Sequence, residues 1–143
     1  MRIPWEQLHG ALTHFPIALL LFCTACDFGA TAFKRRPFAR ELRVVSFYAL
    51  LVAALSSVGV VASGVALTKG DLWGRGDFGW HHRFAWPAFG LLAALAVWRL
   101  VVRDAMSPTG RCLYLIGMVL ASGLVAAAGY FGGELLLSGG GVP

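Results

Sequence analysis

Charge is scarce in this chain, and acid is scarcer still. Only 13% of the 143 residues are charged, seven of them Asp or Glu, while 58% are apolar. Soluble domains are about 25% charged and roughly 45–50% apolar. So little charge argues against a soluble enzyme domain and against a disordered tail. Cysteine is scarce too: there are three, an odd number, which argues against a disulfide-stapled scaffold. Period-two alternation is missing, so β-strands have no support. There is no Ser-His-acid arrangement, no phosphate loop and no pair of carboxylates, so nothing points to a hydrolase.

What the chain does have is long apolar runs, with a mean hydropathy of +0.72. A spanning helix needs about 20 mostly apolar residues. Four segments qualify: about 10–32, broken only by His14 and Asp27; about 44–68, without charge; about 84–102, with Arg99 near its end; and about 112–133, without charge. Backbone groups in lipid must be satisfied within the segment, so the spans are helices. The expected fold class is all-α, an integral membrane four-helix bundle forming one domain over residues 1–143. Gly59, Gly64, Gly117, Gly123 and Gly129 are expected to let the helices approach closely. The first run is too long for a signal-peptide core and no small-x-small site closes it, so it is expected to stay in the protein. No internal repeat is visible, and Gly139-Gly140-Gly141 reads as a flexible ending.

Basic residues set orientation. Lys34, Arg35, Arg36, Arg40 and Arg43 follow the first run, and Arg99, Arg103 and Arg111 flank the loop after the third. These eight of twelve basic residues belong on the cytoplasmic side. Arg2, Lys69, Arg75 and Arg83, offset by Glu6, Asp71, Asp77 and Glu134, belong outside with both termini. Trp5, Trp73, Trp80 and Trp86 then fall near the outer interface, which suits amphipathic rings. The expected location is a bacterial inner membrane, and the net charge of +5 is topogenic rather than a nucleic-acid footprint.

All four histidines fall on that outer side. His9 and His14 open the first run, and His81 and His82 open the third. His9 and His14 lie about 140° apart on an ideal helix, so both cannot reach one ion. With Pro16 following, residues 9–14 read as an interfacial entry segment, with regular helix starting near Pro16. One histidine from each helix is the expected pair: His14 with His82, or with His81. Facing helices of a bundle build cofactor sites in this way, and a b-type haem accepts axial histidines. A copper or zinc site from three or four histidines, or an interfacial cluster without a cofactor, are the alternatives.

Asp27 is a carboxylate inside a span, which is costly and points to the bundle interior. It reads as a proton-handling or quinone-site acid, or as the ion-pair partner of Arg35 or Arg36. Cys23, Cys26 and Cys112 read as small packing residues. Glu134, on the histidine side, reads as a carboxylate that orients a ligand histidine or, equally, as a solvated helix-end charge.

Leu8-His9, then Thr13-His14-Phe15-Pro16-Ile17-Ala18-Leu19, then Asp27, resemble the opening of the bacterial membrane proteins of domain-of-unknown-function family 2231, which reads approximately His-Pro-x-x-Val-His-Phe-Pro-Ile-Ala-Leu. Gly64, Gly70-Asp71, a histidine at His81 or His82, and the closing Gly132-Gly133-Glu134-Leu135 continue the match. Gly10 stands where proline is usual, Thr13 where Val is usual, and a histidine doublet where one is usual. Related domains occur fused to cytochrome c-like and Rieske-like modules. The resemblance therefore implies membrane electron transfer, with His9, His14 and one of His81 or His82 as its functional residues.

The expected function is electron transfer by a b-type haem held by His14 and His82, with His81 and His9 beside them. A quinone or a periplasmic cytochrome would be the partner. A cofactor-free accessory subunit of a larger membrane complex, or a histidine-bound copper or zinc site, are the alternatives. No independent enzymatic activity is expected.

Overall fold

Each apolar run folds as one long helix. In the computed structural model these are α1 (Trp5–Ala32), α2 (Ala39–Leu67), α3 (Gly76–Val102) and α4 (Pro108–Leu137). The structure describes residues 5–103 and 105–137, the side chains of Asp77 and of 135–137 excepted. Arg2 and the Gly139 to Gly141 ending lie outside the described residues. All four helices are long and apolar enough to cross a membrane. They contain 27 to 30 residues. At about 1.5 Å per residue each exceeds a hydrocarbon layer of about 30 Å and continues into the headgroups. That is why the helices outrun the apolar runs that announce them.

The irregular segment expected over residues 9–14 is not there. α1 is continuous from Trp5, with Pro16 inside it. A proline removes one backbone donor, leaving the carbonyl four residues earlier unbonded, and spanning helices tolerate this. Thr13 Oγ1 and His14 Nδ1 both bond the Gly10 carbonyl at 2.7 Å, two residues before the Leu12 carbonyl that Pro16 leaves free. Pro87 is likewise accommodated within α3.

The ends have local causes. The α2 C-terminus closes through Lys69 and Gly70, both at positive φ, with the Gly70 amide bonding the Val65 carbonyl at 3.0 Å. α4 starts with proline at its first position, and Ser107 Oγ accepts from the Gly110 amide at 3.0 Å.

α1 packs chiefly on α2, and α3 on α4. The two hairpins meet more loosely along α1 with α4 and α2 with α3, which leaves α1 and α3 on a diagonal. The hairpins repeat one another. Leu20 and Cys23 of α1 match Leu92 and Leu95 of α3, each 72 residues on, and all four are buried in one core. Leu50 and Ala53 of α2 match Met118 and Ala121 of α4, each 68 residues on, in the same core. A repeat invisible in the sequence is thus present in the structure, because burial recurs while side-chain identity does not.

Large apolar side chains such as Leu55 and Val101 point outward, as suits lipid. Of the five glycines expected to admit close approach, two do so. A Cβ on Gly117 would lie 2.8 Å from Leu95 Cδ2, and one on Gly64 would lie 3.0 Å from His9 Cε1. Gly59, Gly123 and Gly129 have open space beside them, so their expected packing role is corrected.

Candidate functional site: two polar clusters on one interior face

Eighteen residues make five full turns of an α-helix, so positions 18 apart share a face about 27 Å apart. Every helix carries such a pair: His9 and Asp27, Ser46 and Gly64, His81 and Arg99, Tyr114 and Gly132. Each helix therefore contributes one member to a cluster at either end of the bundle.

At one end, Asp27 collects hydroxyl donors from two helices. Ser46 Oγ donates to Oδ1 at 2.6 Å, and Tyr114 OH donates to Oδ2 at 2.9 Å. Arg99 Nη2 lies 3.6 Å from Oδ1, with both side chains 1% exposed. Arg99 also reaches the Arg43 carbonyl at 3.4 Å and lies over the Tyr114 ring, 5.5 Å from its centroid. A charge in this setting is tolerated because it is paired and hydrogen-bonded. Arg99 Nη1 is buried without a partner among the described residues.

This cluster corrects two expectations. Arg35 and Arg36 are exposed, and the partner of Asp27 is Arg99. Arg99 accordingly leaves the set of loop charges. Arg99, Tyr114 and Ser46 were all missed as site residues. Helical phase could have found them, since Asp27 must face inward and only partners on inward faces can meet it. Cys23 and Cys26 are buried free thiols, while Cys112 is exposed.

At the other end, His9 Nδ1 lies 2.9 Å from Ser63 Oγ. That hydroxyl donates to the Val60 carbonyl at 2.8 Å, so it accepts from the imidazole. His81 Nδ1 donates to the Ala128 carbonyl at 2.9 Å. In neutral rings these bonds assign the proton to Nδ1 and leave the lone pair on Nε2. The two rings meet across the diagonal, centroids 6.4 Å apart and nearly perpendicular. Each sits against a glycine of its own hairpin: His9 against Gly64, and His81 against Gly132, where a Cβ would fall 3.1 Å from Nδ1.

His82 is buried beside them, 5.7 Å from His81 and 4.5 Å from Phe78 between ring centroids, with Nδ1 unpartnered among the described residues. His14 is not brought into this group. Its ring is exposed and turned back to its own helix at Gly10. Helical phase is again the reason: 13 residues separate His14 from inward-facing Asp27, which places it on another face. Glu134 is exposed, and the orienting contact to His81 comes from the Ala128 carbonyl. Among the described residues, no three His, Cys, Asp or Glu side chains form a group that could hold a metal ion.

The histidine end is closed by the loop between α2 and α3. Asp71 Oδ1 accepts the Trp73 and Gly74 amides at 3.0 and 2.9 Å, which holds its carboxyl below the usual range. Trp86 Nε1 pins the loop by donating to the Leu72 carbonyl at 2.8 Å.

Four apolar helices around a buried polar cluster at one end and a half-buried one at the other define a multi-span α-helical membrane protein. Over residues 6–141 the chain matches a family described as predicted membrane protein, and it belongs to that family, domain-of-unknown-function family 2231. No curated protein and no solved structure matches it.

Proposed function

We propose that this protein is a membrane electron carrier that holds a b-type haem through His9 and His81. The observation that carries this reading is the fixed state of the two rings. Each has Nδ1 engaged by an orienting acceptor, which directs Nε2 as the donor nitrogen, and the rings meet across the diagonal. Metal-ligating histidines are oriented in just this way through their second nitrogen.

The size of the donor set favours haem over a bare ion. Copper and zinc sites draw three or four ligands from the protein, whereas haem iron needs only its axial positions filled. When bound, the haem supplies one-electron chemistry at its iron. The protein's part is binding and orientation. Ser63 and Ala128 hold the two rings, and Gly64 and Gly132 give them room against α2 and α4. Arg35, Arg36, Arg40 and their neighbours mark the opposite end, which supports a histidine end facing outward from a bacterial inner membrane. A quinone in the bilayer or a soluble cytochrome on the outer side would exchange electrons with it.

The test is the visible spectrum of protein purified in detergent from haem-replete cells, oxidised and then reduced with dithionite. A Soret band with sharp reduced bands is expected. His9→Ala and His81→Ala should each abolish the low-spin bands, and His14→Ala should keep them. A featureless spectrum from the wild-type protein overturns the reading.

A further inference from the structure

A second site lies at the histidine end but outside the bundle interior. A cavity of about 270 Å³ is lined by Trp73, Gly74, Arg75, Gly76, Gly79, Trp80 and Arg83. It opens to the surface and is of a size to take a headgroup fragment. Its walls combine two guanidinium groups with two indoles, and the Asp71 carboxylate, bonded to the Trp73 and Gly74 amides behind the wall, interacts with Arg75 and leaves Arg83 as the less compensated charge. Arg83 is held over the Trp80 ring, 4.6 Å from the centroid, which fixes one charge at the wall. Both tryptophans are solvent- or headgroup-facing, Trp73 being 70% and Trp80 46% exposed.

The place of this cavity decides its occupant. It sits at the first turns of α3 and the loop before it, between Trp73 and Trp80, indoles of the kind that gather at the membrane interface. It therefore opens at headgroup level, where tryptophans collect and where the abundant anion is the phosphate of a phospholipid. Arginine matches that anion, because its planar fork makes paired hydrogen bonds to phosphate oxygens. From this we infer that the cavity binds a phosphate-bearing anion, the headgroup of an anionic phospholipid, with Arg75 and Arg83 holding the phosphate and Trp73 and Trp80 flanking it. The site is independent of any haem.

Native mass spectrometry of the full chain, released from nanodiscs of mixed phosphatidylglycerol and phosphatidylcholine, tests this. Selective retention of phosphatidylglycerol is expected. Arg75→Gln or Arg83→Gln should lower it roughly fivefold, and the double variant about twenty-five-fold, at about 1 kcal/mol for each interfacial arginine. Arg40→Gln, an exposed arginine at the other end, should leave it unchanged. A second arm follows tryptophan fluorescence in pure phosphatidylcholine nanodiscs while inorganic phosphate is added. No response assigns the site to lipid. A response that Arg75→Gln and Arg83→Gln abolish assigns the same chemistry to a soluble phosphate. Equal retention of both lipids with no phosphate response, or retention indifferent to both arginines in variants with unchanged melting temperatures, overturns the inference.

Discussion

Asp27 on α1 and Arg99 on α3 face each other across the bundle diagonal at 3.6 Å, both almost wholly buried. They join the two hairpins where helix packing between them is loosest. Removing one partner leaves the other charge uncompensated, at a cost of about 3–5 kcal/mol. Arg99→Gln and Asp27→Asn should each lower thermal stability in detergent by that order. The double variant should be more stable than the additive sum of the two. Additive losses would show that the two charges do not interact.

The hydroxyls around Asp27 should matter less, and separably. Tyr114→Phe keeps the ring beneath Arg99 and removes one donor, and Ser46→Ala removes the other. Each should cost about 1–3 kcal/mol, the price of a lost hydrogen bond to a buried charge. Thermal melts of the two variants provide the check, and an unchanged Tyr114→Phe would mean that Asp27 is satisfied without it.

Gly64 and Gly132 should be intolerant positions, and Gly123 and Gly129 tolerant ones. Alanine at Gly64 or Gly132 presses its Cβ on His9 or His81. These variants should shift the imidazole resonances in NMR spectra of detergent-solubilised protein and weaken any histidine-bound cofactor. Alanine at Gly123 or Gly129 meets open space and should leave those resonances in place.

Ser63→Ala removes the acceptor that fixes the His9 ring. Loss of such an orienting contact typically lowers metal affinity by 10- to 100-fold. Haem retention through repeated detergent washes should therefore drop in Ser63→Ala and persist in Thr13→Ala, which changes only a local bond to Gly10.

The loop at the histidine end should loosen in acid. The folded Asp71 carboxyl titrates below its unfolded value of about 3.9, because two backbone amides bond its charged form. Its contribution is therefore full above that value and is lost as pH falls through the lower, folded one. Trp73 fluorescence should change in that acid range, and Asp71→Ala should show the changed signal already at neutral pH.

Composition and run length were enough to read the four helices, since lipid leaves a 20-residue apolar run one structure to adopt. Helix ends were less legible, because residues in the headgroup layer need not be apolar. Pro16 misled for a definite reason: a break rule drawn from water fails in a spanning helix, which tolerates a proline within it. At the histidine end, the neighbourhood was legible and the membership was not. An entry segment ending at Pro16 favoured His14, while the helical phase set by Asp27 puts His9 on the interior face. Arg99 was hidden by its place at a span end, where an arginine reads as a loop charge until its face is known.

The correspondence between the hairpins has one further consequence. Position 27 of the first half aligns with position 99 of the second, and these two carry opposite charge. Two copies of the first hairpin would press aspartate on aspartate, and two copies of the second would press arginine on arginine, away from water in either case. Each half thus rejects its own kind and accepts the other, a rule of pairing written as a single reversal of sign. Two separately expressed halves, cut within residues 69–75, should assemble only as the unlike pair.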